Sequence, residues 1–402
     1  MSAEPGPRRR LLVTALKFIV AIAILALVAR IVPWRDSVSC SVDGEVQRFE
    51  GAIEGDWKSN SIRFRFREPL PVESAPAPWR SEAAGPTLDV VQLERSDTVS
   101  WNPGMPTAFL GVDRKGLALA LALAVSGILA TALRWWRLLR AAHCPTDLWP
   151  AVRLTFVGFF FNIVVPGLTG GDLVKAVMVA RSHPERRAAA AMSVLVDRLL
   201  GVLVMVTMGA VAVVWLGDRF PYRREPILIG LVLGVGALAA YANPALRRRI
   251  GFEKLVQRLP MSRTLLQIDE ALTVCAREPR ELAWAVCFSS FNQLCVMASL
   301  TVLGASFGES ALSFANYVVV GALGNLVSAI PITPGGVGVA EAAYGQLFEL
   351  QGGNWTLGFA VAIAWRLCLV IVGLGGGLFL LLPGGRLSAA ERAALEGATS
   401  SS

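Results

Sequence analysis

Hydrophobic residues along this 402-residue chain gather into long runs separated by short polar stretches. The runs cover Leu11–Val32, Gly116–Leu133, Ala151–Val165, Ala188–Leu216, Pro226–Tyr241, Leu282–Leu303, Phe314–Ile330 and Thr356–Leu382. In lipid only helices and closed barrels satisfy every backbone polar group. These runs are too long and continuous for barrel strands of about 9–11 residues, so they predict helices. Shorter amphipathic pieces lie at Asp172–Arg181, Lys254–Ala276 and Gly338–Leu350. One segment, 33–115, breaks the pattern. Within it Val42–Glu54, Ser61–Arg67 and Thr87–Leu93 read as short strands. Ile62, Phe64 and Phe66 face one side, and Arg63, Arg65 and Arg67 the other, as the two-residue period of a strand requires. The fold class predicted is an all-α polytopic membrane protein of about seven or eight hydrophobic segments, with a small β-rich extracytoplasmic insert. Its parts are an N-terminal transmembrane helix at 1–32, the insert at 33–115, a transmembrane body at 116–382 and a cytoplasmic tail at 383–402.

Composition sharpens this reading. Hydrophobic residues make up 54% and charged residues only 17%, which excludes a disordered chain and argues against a purely soluble enzyme. The net charge of +8 does not indicate a nucleic-acid binder in so apolar a chain. Its distribution is more informative. From Asp36 to Asp113 there are thirteen acidic and seven basic residues, so that segment carries −6 and the rest +14. Six cysteines include no Cys-x-x-Cys pair, and His143 and His183 are the only histidines, so neither a zinc site nor a cofactor is expected.

Orientation follows from Lys and Arg in short loops. Twenty such residues fall in one set of loops, among them Arg8, Arg9, Arg10, Arg134, Arg140, Arg186 and Arg247, against five in the other. This predicts a protein of the cell inner (cytoplasmic) membrane, with its N-terminus cytoplasmic, residues 11–32 retained as a span and the insert outside. The loops around Arg140 and Arg186 then share one side, although Ala151–Val165 lies between them. The expected solution is a re-entrant hairpin that enters along 151–165, turns at Pro166-Gly167-Leu168-Thr169-Gly170-Gly171 and returns along 172–182. A second hairpin of opposite direction enters along Phe314–Ile330, turns at Pro331-Ile332-Thr333-Pro334-Gly335-Gly336 and returns along Gly338–Leu350. Pro166-x-x-x-Gly170-Gly171 recurs as Pro331-x-x-x-Gly335-Gly336, each after an arm with an Asn (Asn162, Asn325). Two opposed hairpins form an inverted repeat, a signature of transporters.

Candidate chemistry lies in these apolar segments, where a central charge costs roughly 2.5–3.5 kcal/mol on insertion scales. Lys175, Arg198 and Arg366 are candidates to bind a lipid phosphate, with Arg suited to bidentate contact. Gly170, Gly171, Gly335, Gly336 and Gly338 open half-helices whose N-termini suit an anion. The same glycines, with Asn162, Pro166, Gly167, Pro331, Thr333 and Pro334, also simply permit sharp turns. Asp172, Asp197 and Glu341 would orient the cations or carry protons. Alternatively the charges pair internally, Asp197 with Arg366 or Asp172 with Arg198. Arg134-Trp135-Trp136-Arg137-Leu138-Leu139-Arg140 reads as an interfacial anchor.

Three motifs in order resemble a known family. They are Phe160-Phe161-Asn162-x-x-x-Pro166-Gly167-x-x-Gly170-Gly171-Asp172, then Asp197-Arg198-x-x-Gly201, then Pro331-x-Thr333-Pro334-Gly335-Gly336-x-Gly338-x-x-Glu341. They are similar to the flippase-like transmembrane region of lysylphosphatidylglycerol synthases, in a stand-alone form, over about 116–382. The resemblance implies a lipid flippase or transporter that moves or binds an anionic phospholipid or polyprenyl-phosphate lipid. It leaves the insert unexplained. After the matched region there is no room for the synthases' soluble aminoacyltransferase domain, so lysine transfer is not expected and no catalytic residue is assigned. Expected partners are membrane lipids, and an envelope partner through 33–115. Two alternatives stand: a polyprenyl-phosphate-dependent glycosyltransferase using Asp36, Asp43 or Asp113, and a membrane scaffold.

Overall fold

The computed structural model describes residues 26–42, 45–76, 79–80, 85–96, 98–164, 170–217, 277–328 and 336–380, together with 229, 273–274 and 333. The expected span at Pro226–Tyr241, the amphipathic piece at Lys254–Ala276 and most of Leu11–Val32 lie outside these residues. So do Pro166, Gly167, Pro331, Pro334 and Gly335.

The described chain is mostly helical, with a small antiparallel sheet near its N-terminal end. Four helices are long and apolar enough to cross a membrane: α2 (Arg114–Ala141), α5 (Arg187–Leu216), α6 (Pro279–Ser306) and α9 (Trp355–Gly377). Shorter helices are α1 (Met105–Leu110), α3 (Leu148–Val164), α4 (Gly170–Ser182), α7 (Phe314–Ser328) and α8 (Val339–Leu350). The chain divides into two compact units. One comprises 1–118, 302–312 and 336–364, the other 119–301, 313–335 and 365–402.

The first unit holds the sheet: β1 (Asp36–Val42), β2 (Glu45–Glu54), β3 (Ser61–Pro71), β4 (Thr87–Glu94) and β5 (Val99–Asn102), in the order β4-β3-β2-β1-β5. The alternation read in 61–67 is observed. Ile62, Phe64 and Phe66 are buried with Val38, Leu88, Trp79 and Trp101, while Arg63, Arg65 and Arg67 are exposed. Cys40 is buried in this core, and burial pushes its thiol above the ordinary range, which makes it a poor nucleophile. β1 and β5, not expected from the sequence, pair with each other along Ser37–Cys40 and Val99–Asn102.

This sheet is not a free appendage. Asp36 is buried, and its carboxylate accepts hydrogen bonds from the Ile53 and Gly104 amides at 2.7 and 2.6 Å and from the Thr107 hydroxyl at 3.0 Å. Lys58 donates from Nζ to the carbonyls of Gly111 and Ser306. Phe109 and Phe307 meet edge to face, with ring centroids 5.2 Å apart.

In the second unit α2 and α6 run antiparallel, since Ala120 meets Ser299, Gly127 meets Asn292 and Arg134 meets Ser289. The C-terminal half of α9 packs on an aromatic face of α3. There Gly373 lies against Ile163, Gly376 against the Phe156 carbonyl and Gly377 against the Phe160 ring. Helix association in lipid has no hydrophobic drive comparable to that in water, so close backbone approach through small residues carries it. Any Cβ at 376 would collide with the Phe156 backbone, whereas one at 375 meets nothing within 4 Å. Gly376→Ala is therefore expected to lower the melting temperature of the detergent-solubilised protein, at a cost of about 1–3 kcal/mol, with Gly375→Ala neutral. Equal melting of the two variants would refute this packing.

Candidate functional site

The site lies in the second unit, where α4 and α5 pack antiparallel around four charges. Asp172 and Lys175 stand one turn apart on α4, and Asp197 and Arg198 are neighbours on α5. Acid faces base twice. Arg198 pairs with Asp172, and Lys175 Nζ stands 3.7 Å from Asp197 Oδ2. Consecutive helical residues project about 100° apart, so the two pairs occupy different surroundings.

The Asp197 pair points inward. Asp197, Lys175 and Arg134 are each only 5% exposed. Arg134, on α2, donates from Nε to Asp197 Oδ1 at 2.6 Å and from a terminal nitrogen to Ser289 Oγ at 3.1 Å. Lys175 Nζ also sits 3.8 Å from the centre of the Trp135 ring, a cation–π contact strengthened by desolvation. The Trp135 indole N–H is held by Ser193 Oγ at 3.1 Å. Two cations thus share one carboxylate, and the buried trio carries net charge +1.

Glycines make the room. A Cβ on Gly201 would lie 3.0 Å from the Arg134 guanidinium, so the Asp197-Arg198-x-x-Gly201 motif has a local explanation. Asp197 binds Arg134, and Gly201, one turn on, leaves space for it. At the start of α4 the Gly171 amide donates to Asn162 Oδ1 at 2.9 Å, which satisfies one donor left open by the helix end. A Cβ on Gly171 would collide with the Gly158 carbonyl.

The Arg198 pair points outward. Its guanidinium side chain is 43% exposed, and that of Asp172 24%. Arg198 lies eleven residues into α5, about 16 Å along a helix that rises about 1.5 Å per residue. That distance is about half of a hydrocarbon core of about 30 Å.

The remaining expected residues lie elsewhere. Arg366 is half-buried on α9, and Thr333 is buried. In the first unit Gly336 and Gly338 have φ of 67° and 85°, a left-handed backbone that favours glycine. Glu341 is buried and accepts the Gly338 amide at 2.6 Å, closing the first turn of α8. The expected pairing of Asp172 with Arg198 is observed. Asp197 faces Arg134 and Lys175 instead of the expected Arg366.

Arg134 corrects the sequence reading, which assigned it to an interfacial anchor and counted it in a loop. Helix α2 extends to Ala141, so Arg134 falls inside it, and the packing face of Ala120, Ala124 and Gly127 continues into Arg134 at helical spacing. That periodicity was the available signal. Arg137 and Arg140 pair with Glu281 at 3.2 and 3.7 Å and stack on Trp136.

Membrane-crossing helices with a buried ion network between them define a polytopic membrane protein with charge held inside its helical body. Comparison with known families takes this further. The family described as "Lysylphosphatidylglycerol synthase TM region" matches residues 105–377, and the chain belongs to it. The chain is also similar to a UPF0104 membrane protein of Pyrococcus horikoshii, 23% identical over 298 residues that cover 67% of this chain and 87% of the relative. No solved structure matches. The five-stranded sheet lies outside the matched residues.

Removing one partner of a buried ion pair typically costs about 3–5 kcal/mol, because the other charge is left uncompensated. Asp197→Asn strands two cations and is expected to lose at least that much. Asp172→Asn breaks a partly exposed pair and is expected to cost about 1 kcal/mol or less. Unfolding in detergent followed by circular dichroism compares them, and equal losses would contradict this division of roles.

Proposed function

We propose that this protein binds an anionic phospholipid or polyprenyl-phosphate lipid and moves it across the cytoplasmic membrane, with Arg198 meeting the lipid phosphate. The observation that carries this reading is a half-exposed guanidinium at mid-depth of a membrane-crossing helix. A charge there has to face a polar path or ligand, because lipid tails solvate it poorly. Asp172 occupies Arg198 at rest, and a phosphate offering bidentate acceptors would compete for the same guanidinium. The buried trio behind it contributes a fixed +1 that water does not screen and that favours an arriving anion. Lys175, held by Asp197 and Trp135, acts through this field. Arg366 is proposed as a second phosphate contact.

The α3–α4 pair fits a re-entrant hairpin. At about 1.5 Å per residue its 17 and 13 residues reach about 25 and 20 Å, less than a full crossing. α7 and α8, with 15 and 12 residues, are likewise each shorter than a full crossing. We therefore retain the inverted repeat and the cytoplasmic N-terminus as parts of the proposal. No specific observation favours the glycosyltransferase reading. Of its candidate acids, Asp36 and Asp113 both accept backbone amides, Asp113 from Lys115 and Gly116 at the start of α2, and Asp43 lies outside the described residues.

Reconstituted protein tests the proposal with fluorescent anionic phospholipid and with polyprenyl phosphate, scored by accessibility to an added quencher. Wild type is expected to exceed empty vesicles for at least one class. Arg198→Gln, which deletes charge-assisted hydrogen bonds of about 1.5–3 kcal/mol, is expected to slow transfer about tenfold or more while losing no more stability than the about 1 kcal/mol expected for Asp172→Asn. Transfer no faster than in empty vesicles for both classes would sink the proposal.

A further inference from the structure

A second feature lies in the first unit and does not depend on the transport reading. A cavity of about 370 Å³ is lined by Ile31, Arg48, Asn102, Glu349, Trp355 and Thr356, with Pro33, Gly353 and Asn354 completing its wall. Its size falls in the range of about 300–1,000 Å³ typical of ligand pockets. The wall is assembled from two sources. Ile31, Pro33, Arg48 and Asn102 come from the chain before the family-matched region, and the others from the end of α8, the start of α9 and the loop between them. The two sources are tied by a hydrogen bond from Asn354 Nδ2 to Asn102 Oδ1.

The charges in this wall suggest the ligand. Arg48 and Glu349 both line the cavity, and neither takes part in an ion pair among the described residues. One open guanidinium and one open carboxylate in one small cavity complement a ligand carrying an anion and a cation a short distance apart. A planar guanidinium suits a phosphate, and a carboxylate suits an ammonium. The apolar wall suggests the source. Trp355 is the first residue of a membrane-crossing helix and is fixed by stacking on Phe359, with ring centroids 5.2 Å apart. Ile31 ends an apolar helical stretch and is 55% exposed. A Trp at the end of a span sits at head-group level, so the cavity opens where a lipid places its polar head.

We propose that this cavity binds the zwitterionic amine–phosphate head group of a membrane phospholipid, with Arg48 on the phosphate and Glu349 on the ammonium. The full chain, solubilised from vesicles containing equal phosphatidylethanolamine and phosphatidylglycerol, is analysed by native mass spectrometry for retained lipid. Wild type is expected to retain phosphatidylethanolamine preferentially. Arg48→Gln and Glu349→Gln are each expected to reduce that retention about tenfold, the value of one charge-assisted contact. Arg63→Gln, an exposed arginine on β3 that does not line this cavity, is expected to leave it unchanged. Both cavity side chains are exposed, so unchanged melting temperatures confirm folded variants. Soluble phosphoethanolamine at millimolar concentration serves as a second arm. Failure to displace the lipid supports a lipid held by head and chain, whereas displacement shows that the head group alone suffices and assigns the cavity to that chemistry from either source. Equal retention of the two lipids, or equal retention by wild type and both cavity variants, would overturn the proposal. Transfer measurements on Arg198→Gln report separately on the proposed translocation.

Discussion

The helical body depends on one carboxylate. Asp197 accepts from Arg134 at 2.6 Å and faces Lys175 at 3.7 Å, and Arg134 reaches on to Ser289. Four helices, α2, α4, α5 and α6, therefore meet through this carboxylate and the arginine it holds. In water such a pair is worth little, because solvent competes for both partners. In this setting solvent is excluded, so the pairing is stiff and its loss severe. The imbalance is as informative as the attraction. Two cations on one acid leave a residual positive charge, which a protein built only for stability would have no reason to bury. A neutral Arg–Asp pair would hold α2 to α5 equally well. Lys175 adds cost through desolvation and is offset only partly by its second contact, with the Trp135 ring.

The geometry that allows this cluster comes from residues with little or no side chain. Gly201 opens the face of α5 that receives Arg134, and Gly171 lets the start of α4 close on Gly158 of α3. That close contact sets the height of α4, and hence of Asp172 and Lys175, against Asp197 and Arg198. The glycines that the sequence offers as an anion cradle thus have a prior structural duty. At Gly171 the amide is already committed to Asn162. In the proposed reading, side-chain charge and not the N-terminus of α4 would meet an anion.

Much of the architecture is legible in the sequence because lipid permits so few solutions. A long apolar run has to be a helix, and six of the expected runs coincide with described helices to within a few residues at most ends. The alternation of Ile62, Phe64 and Phe66 with three arginines is equally unambiguous, since a one-residue slip would bury the arginines. Other features were not readable for physical reasons. β1 and β5 are short and join residues some sixty apart, so no local pattern announces their pairing. Arg134 is masked by the neighbouring Trp and Arg residues, and its phase relative to Ala120, Ala124 and Gly127 separates it from Arg137 and Arg140. The motif residues Asp197 and Gly201 were visible, but their common partner was not, because it lies sixty-three positions earlier on another helix.

The acidic character of the segment from Asp36 to Asp113 also changes meaning once partners are known. Its acids are not a uniform field. Asp36 is consumed by three hydrogen bonds within the first unit, Asp113 caps the start of α2, and Glu50 and Glu54 face arginines on the exposed side of the sheet. A strand carrying Arg63, Arg65 and Arg67 would repel itself without acids across from it, so part of the negative charge serves the sheet's own solubility. Arg48 stands apart from this pattern. Among the described residues it forms no ion pair, whereas Arg65 and Arg67 of the same sheet each face an acid, and Arg63, which also forms none, does not line the cavity. An unpaired arginine in a segment with an excess of acids is not explained by shortage of carboxylates. Its place in a cavity wall, with Glu349 likewise outside any ion pair among the described residues, gives both charges a common reason to be open.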